Sequence, residues 1–290
     1  MRRLYGARDA KDDSPVPGAY TFATMPTGDP ATPARGASVL TTDRATRVTT
    51  GLLLAIAVAC WADVVTRMGA HATMEMEPLA GSLAEAAAYV ASWGVMMAAM
   101  MLPSALPMIA LYGTLQRTAT DDAARGVSVA LFALVYLLVW TGTGVPVYLA
   151  SVLLQRLPAD VAAYGVAGAL LAAGGYQLSP LKQVCLRGCR SPLGFLLGHW
   201  RAGRVGSLLL GWRHALYCGG CCWALMVVLV AAGAMGLPWV LLIAAVVAAE
   251  KLLPRGEWIA RGVGGALLLL GSAVALHPGL VMLLRHGHLM

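Results

Sequence analysis

Apolar residues along this chain form long runs that are separated by short polar or basic segments. A transmembrane helix needs about 20 consecutive, mostly apolar residues. Seven runs approach that length, although the sixth is short. The pattern predicts an all-α polytopic transmembrane helix bundle of about seven spans, with six as the alternative, at residues 49–68, 86–112, 127–154, 161–178, 213–235, 238–253 and 263–281.

The segments between these runs predict the domain organisation. Residues 1–47 contain five prolines and mixed charge, which is typical of a disordered tail. Residues 48–284 are expected to form the transmembrane helical domain, and residues 285–290 a short C-terminal tail. Residues 179–211 are interpreted as a basic, cysteine-containing cytoplasmic loop, in which residues 193–200 are apolar but too short to span.

Composition and charge agree with a membrane location and predict how the chain is oriented across the membrane. The chain is 59% hydrophobic and 12% charged, whereas a soluble domain carries about 25% charged residues. Lys and Arg concentrate in one set of loops and in the N-terminal tail, which the positive-inside rule assigns to the cytoplasm. This predicts a multi-pass protein of the cell inner membrane, with a cytoplasmic N-terminus and an outside C-terminus. The net charge of +7 is thereby explained without nucleic acid as a partner.

Five of the six cysteines fall into two groups that the orientation places on the cytoplasmic side. Thiolates select copper(I), zinc or iron–sulfur clusters. Two converging pairs would supply a tetrahedral zinc site, whereas two or three thiolates suit copper(I). Neighbouring Arg187, Arg190 and Arg213 are expected to lower the thiol pKa values. The candidate metal ligands are Cys185, Cys189, Cys218, Cys221 and Cys222, with His214 one helical turn before Cys218. The alternative is that these side chains only fill a helix interface.

A second group of soft ligands lies in the second span. Met96, Met97, Met100 and Met101 form two adjacent stripes on one helix face, and thioethers also suit copper(I). The alternative interpretation is adaptable core packing. Further ligand types lie in the predicted outside segments, at His71, Met74, Glu75, Met76, Glu77, His286 and His288.

Two pairs of ionisable residues lie within the apolar runs. Glu250 and Lys251 lie at the inner end of the sixth span, where charge is costly and often functional. Glu250 is a candidate metal ligand, and the alternative is an interfacial Glu beside a snorkelling Lys. Asp63 and Arg67 in the first span are expected to form a simple i,i+4 pair.

Three blocks of this sequence resemble a known family. Residues 93–107 read WGVMMAAMMLPSALP, residues 176–192 read YQLSPLKQVCLRGCRSP, and residues 217–226 read YCGGCCWALM, followed by Glu250 and Lys251. In this order they resemble an uncharacterised bacterial family of predicted metal-binding integral membrane proteins, over roughly residues 50–272. The resemblance implies that the five clustered cysteines and the methionines form the site.

The leading functional hypothesis is a membrane protein that binds or transfers a soft metal ion, with copper(I) favoured over zinc. Its expected partners are the lipid bilayer and a metallochaperone or a membrane cuproenzyme. Cys218 and Cys221 form a C-x-x-C unit, so the first alternative is a membrane thiol–disulfide oxidoreductase. The second alternative is a structural or assembly subunit of a membrane complex. We find no Walker, nucleophile-elbow or zinc-protease motif, and we predict no catalytic residue.

Overall fold

The computed structural model describes residues 44–70, 82–116, 122–201, 203–231 and 236–281. The predictions for the N-terminal tail before residue 44, for the outside segment 71–81 and for the C-terminal tail lie outside these residues. The boundary predicted at residue 47 falls inside a helix. Within the described ranges there is no strand, and the helices are α1 (Arg44–Ala70), α2 (Leu83–Leu115), α3 (Asp122–Gly142), α4 (Gly144–Gln155), α5 (Ala159–Leu178), α6 (Pro180–Arg190), α7 (Pro192–His199), α8 (Gly203–Ala231), α9 (Leu237–Leu252) and α10 (Gly256–Leu276).

The predicted all-α polytopic bundle is confirmed, and among the described residues six helical segments are long and apolar enough to cross a membrane. The sixth predicted span is α9, which has only 16 residues and falls short of the roughly 20 needed to cross a bilayer. By length and composition, the helical segments that could cross a membrane are Arg47–Arg67, Leu83–Leu115, Ala123–Leu153, Val161–Leu178, Gly203–Val230 and Gly256–Leu276.

Large apolar side chains cover the outer faces of these helices. Leu269 in α10 is 76% exposed, and Val58 in α1 is 66% exposed. Soluble monomers rarely expose such extended apolar surface. The outer surface is therefore the kind that lipid, rather than water, would solvate.

Helix α2 runs through the core of the bundle. Its first turn is fixed by a capping box, in which Ser82 and Glu85 satisfy each other's backbone amides. Pro103 and Pro107 lie inside the helix, which continues through both to Leu115. The methionine-rich segment between these features is buried, and α2 as a whole packs mainly against α1 and α3.

The third predicted span is interrupted at one residue, between the end of α3 at Gly142 and the start of α4 at Gly144. Thr143 lies at the break, and its hydroxyl donates to the carbonyl oxygen of Trp140. The indole of Trp93 in α2 donates in turn to the Thr143 hydroxyl at 2.9 Å. These contacts anchor the break to the central helix.

The prediction that residues 179–211 form an irregular loop is wrong, because the described residues in this range are almost entirely helical. Ser179 caps α6 by accepting a hydrogen bond from the Lys182 amide, and Pro180 occupies the first turn. Pro192 likewise occupies the first turn of α7, although Ser191 before it makes no side-chain capping bond. Helix α8 begins at Gly203 rather than at Arg213. In this segment Pro180 and Pro192 stand at helix starts, and Gly188 stands at a close contact between helices.

Candidate metal centre

Helices α6 and α8 approach each other closely at two glycines. A Cβ atom on Gly220 would lie 2.6 Å from the Cys185 sulfur, and one on Gly188 would lie 2.6 Å from the Tyr217 ring. Both distances are shorter than real Cβ contacts, so a larger residue at either position would force the neighbouring side chain to shift. The close approach brings the cysteines of α6 against those of α8, and the two predicted groups converge in one cluster. We call Cys185, Cys189, Cys218, Cys221 and Cys222 the sulfur cluster.

The sulfur atoms of Cys189 and Cys221 lie 3.9 Å apart, although 32 residues separate them in the chain. Two sulfurs bound at about 2.3 Å to one ion are about 3.8 Å apart in tetrahedral geometry and about 4.0 Å apart in trigonal geometry. Both cysteines are free thiols, and a disulfide would require a separation near 2.05 Å. The pair therefore has the spacing of two ligands that share a metal ion.

Cys218 lies at the centre of the polar contacts within the cluster. Its sulfur is 3.1 Å from the Tyr136 hydroxyl and 3.0 Å from the Lys251 ammonium nitrogen. Its carbonyl oxygen accepts hydrogen bonds from the Cys221 and Cys222 thiols. The cysteines of α8 are each only 1% exposed. This part of the cluster is thus closed to bulk solvent.

Lys251 connects the sulfur cluster to the methionines of α2. Its ammonium group lies 3.8 Å from the Met101 sulfur and donates to the Ser104 hydroxyl at 3.2 Å. The residue is 7% exposed, so the proposed snorkelling lysine is wrong. A buried charge requires polar or charged partners, and within the described residues those of Lys251 are sulfur and hydroxyl groups rather than a carboxylate.

Glu250 faces a different part of the bundle from Lys251. Its carboxylate accepts hydrogen bonds from the Lys182 ammonium at 2.6 Å and from the Gln177 amide at 2.9 Å. The Lys182 side chain is 0% exposed and that of Glu250 is 2% exposed. Both carboxylate oxygens are therefore engaged, and Glu250 would have to leave these partners to ligate a metal ion.

His214 is 3% exposed and is enclosed by aromatic rings. It stacks on Tyr136 with ring centroids 5.3 Å apart, and it contacts Phe132 and Phe195. Among the described residues, neither ring nitrogen has a hydrogen-bond partner. Each unsatisfied buried polar group costs about 1–3 kcal/mol, so the aromatic enclosure alone gives no reason for a histidine here.

All four predicted methionines lie in the buried core of α2. Met97 and Met101 are 0% exposed, and Met96 and Met100 are nearly as inaccessible. Met101 reaches the sulfur cluster through Lys251, as described above. The structure thus joins the methionine group to the cysteine group at this point, while it also supports the packing role that was the alternative.

The pKa values of the α6 thiols do not follow the sequence-based expectation. Burial, followed by the neighbouring Cys221, raises the pKa of Cys185 above its ordinary value of 9.0. Hydrogen bonding to Cys218 and Cys221, together with burial, raises the pKa of Cys189 well above it. Two of the three arginines expected to lower these values donate elsewhere, Arg187 to the Gln183 carbonyl and Arg190 to the carbonyls of Leu253 and Pro254.

The cluster offers fewer ready ligands than a closed zinc site requires. Within the ranges the structure describes, no three His, Cys, Asp or Glu side chains are arranged to hold a metal ion. A structural zinc site uses four such ligands in tetrahedral geometry. The preformed element is the sulfur pair of Cys189 and Cys221, with Cys218 and the Met101 thioether nearby.

Sequence reasoning missed the residues that contact the sulfur cluster, Tyr136 and Lys251, and also the buried partners of Glu250. Tyr136 is an isolated tyrosine in an apolar run, and no sequence signal pointed to it. Lys251 was recognised as unusual but not as part of the site. Lys182 and Gln177 looked like ordinary polar residues beside a predicted loop. Their buried positions emerge only when α5, α6 and α9 pack together.

A family model named PpoB2 and described as a copper chaperone matches residues 90–274, more than half of the chain. The matched region contains the methionine group, the sulfur cluster, His214, Glu250 and Lys251, but excludes Cys60. No curated protein and no solved structure matches this chain.

Proposed function

Because this chain belongs to the copper chaperone family, we propose that it is an integral membrane protein that binds copper(I) and transfers it, using Cys189 and Cys221 as a preformed ligand pair that Cys218 joins when the ion binds. The observation that carries the proposal is the 3.9 Å separation of the Cys189 and Cys221 sulfurs. These atoms come from two helices that are held together by glycine contacts, and they have the spacing of ligands to one ion.

The ligand set favours copper(I) over zinc. Copper(I) accepts two or three soft ligands, whereas structural zinc takes four. The available set is a thiol pair, a third sulfur at Cys218 and a thioether at Met101. A site with few soft ligands also suits transfer, because an incoming thiol can join the coordination sphere before an existing ligand leaves.

Six apolar helices long enough to cross a bilayer support the membrane location. With the positive-inside orientation, the N-terminus is cytoplasmic and the sulfur cluster faces the cytoplasmic half of the bundle. The ion would be exchanged with a cytoplasmic metallochaperone or a membrane cuproenzyme. The functional partner is thus another copper-binding protein, and the lipid bilayer supplies the solvent.

The direct test is a copper count on purified protein in detergent. Wild type is loaded with copper(I) under anaerobic reducing conditions, desalted, and compared with a Cys218→Ser/Cys221→Ser variant. Cys60→Ser is the matched control, since Cys60 lies in α1 outside the cluster. We expect wild type and Cys60→Ser to retain equal copper and the double variant to lose it. If wild type emerges without copper, or if the double variant retains it, the proposed function is wrong.

The same sulfur separation favours a second candidate, a thiol–disulfide oxidoreductase. Free thiols at 3.9 Å need to move closer by about 1.9 Å to form a disulfide bond. Alkylation of the protein in cells, followed by a mobility-shift assay, would detect an oxidised Cys189–Cys221 pair. If these thiols stay reduced in both oxidising and reducing growth conditions, this candidate is excluded.

A further inference from the structure

We infer that His214 is a nitrogen ligand of the copper site, so that the ion is held by a mixed sulfur and nitrogen set. The inference rests on the proposed function and assigns a ligand beyond the sulfur atoms. It starts from a buried imidazole without a hydrogen-bond partner among the described residues, placed beside the sulfur cluster.

The position of His214 follows from its register on α8. It precedes Cys218 by four residues, so both side chains lie on one face of the helix. Tyr136 contacts both residues, since its ring stacks on the imidazole and its hydroxyl lies 3.1 Å from the Cys218 sulfur. The imidazole and the Cys218 sulfur therefore border the same small region of the bundle.

The surroundings of the imidazole favour a ligand over a packing residue. Phe132, Tyr136 and Phe195 enclose the ring, and a phenylalanine would fill this space without leaving nitrogens unpaired. His199 in the neighbouring α7 provides a contrast, because its Nδ1 lies 2.9 Å from the Phe195 carbonyl oxygen. Neutral imidazole is a common metal ligand, and a copper ion would supply the partner that the protein does not.

A His214→Phe substitution separates the two roles, because they predict opposite outcomes. If His214 is a ligand, the variant should lose at least about tenfold in copper(I) affinity. Substitutions of residues outside the ligand shell already cost about 10–100-fold, and loss of a ligand should cost no less. As a packing residue, its replacement by phenylalanine should leave the affinity unchanged. The thermal stability of the metal-free variant should equal or exceed that of wild type in either case, which shows that the fold is intact.

The experiment measures copper(I) affinity by competition with a chromophoric chelator, together with X-ray absorption at the copper edge. His199→Phe is the matched control and should keep both the affinity and the nitrogen scattering of wild type. The inference is supported if His214→Phe loses both affinity and a nitrogen scatterer while His199→Phe loses neither. If His214→Phe misfolds, His214→Gln is used with the same readouts.

Two other results have distinct meanings. If wild type binds copper but its spectrum shows sulfur scattering only, or if His214→Phe binds as wild type does, His214 is not a ligand and the inference fails while the proposed function stands. If wild type binds no copper(I), the proposed function fails, and the inference fails with it.

Discussion

Two of the described lysines are buried in this bundle, and they have different kinds of partner. Lys182 is paired with Glu250, whose other oxygen accepts from Gln177. Lys251, the next residue after Glu250, lies among the sulfurs of Cys218 and Met101 and the hydroxyl of Ser104. The last turn of α9 thus contributes to two polar clusters that face different helices.

The difference indicates separate roles for the two clusters. A carboxylate–ammonium pair with an additional amide is a self-contained arrangement that fixes α9 against α5 and α6. The Lys251 ammonium has no such closed set within the described residues and depends on groups that copper(I) would also bind. We therefore assign the Lys182 cluster to stability and the Lys251 cluster to the metal site.

The largest expected effect is on stability, through the Lys182 cluster. Lys182→Met leaves the Glu250 carboxylate buried without its ion-pair partner, which typically costs about 3–5 kcal/mol. Arg187→Met on the same helix removes an exposed charge and should change stability by no more than about 0.5 kcal/mol. Unfolding in detergent, followed by circular dichroism, measures both. Equal stability of Lys182→Met and wild type would contradict a structural role for the pair.

The next effect is on copper binding, at the centre of the sulfur cluster. Cys218→Ser removes the sulfur that contacts Tyr136 and Lys251, and we expect copper(I) affinity to fall by about 100-fold or more, beyond the range seen for outer-shell residues. Cys222→Ser is the matched control, because Cys222 is equally buried but is not among the proposed ligands. Chelator competition provides the affinities. Equal losses in the two variants would argue for general packing rather than ligation.

Lys251→Gln should reduce copper(I) affinity more than stability, whereas Lys182→Met should mainly reduce stability. We expect copper(I) affinity to fall by about 10–100-fold, as for outer-shell residues that orient a ligand. The stability loss should be smaller than for Lys182→Met, because Cys218 can remain as a neutral thiol, which is well tolerated in a core. Affinity and unfolding are measured on the same preparations. If Lys251→Gln loses stability but binds copper normally, the two lysines do not differ in role.

The smallest expected effect is on thiol reactivity in α6. Thiolate is the nucleophile in alkylation, and the pKa of Cys185 is raised above 9.0. Raising the pKa reduces the thiolate fraction at neutral pH, so alkylation should be slow there and should accelerate only above pH 9.0. The rate at Cys185 is followed by mass spectrometry across pH. A rate that reaches its plateau near neutral pH would show that the arginines control this thiol after all.

Periodicity and hydropathy predicted the class of fold and most helices, because long apolar runs leave few alternatives in lipid. They failed between residues 179 and 211, where basic residues, glycines and prolines are typical of a loop but the chain is helical. Gly188 instead marks a helix contact, and Pro180 and Pro192 stand at helix starts. Local composition does not distinguish a glycine in a loop from one that admits a neighbouring helix.

For the site, cysteine spacing predicted the two groups but not their contacts. That Cys189 lies beside Cys221 depends on how α6 folds back along α8, which sequence spacing does not contain. Glu250 was chosen as a ligand because it is a carboxylate in an apolar run. The structure commits it to Lys182 and assigns Lys251, the adjacent residue, to the sulfur cluster. The direction a side chain takes at a helix end is set by packing rather than by residue type.

The central claim is that Cys189 of α6 and Cys221 of α8 hold the same copper ion. A double-mutant cycle with Cys189→Ser, Cys221→Ser and the double variant tests it most directly, with copper(I) affinity as the readout. If the two sulfurs share one ion, each single substitution should cost at least about tenfold, and the double substitution should cost clearly less than the product of the two. Losses that multiply independently, or a single variant that binds copper as wild type does, would contradict a shared site.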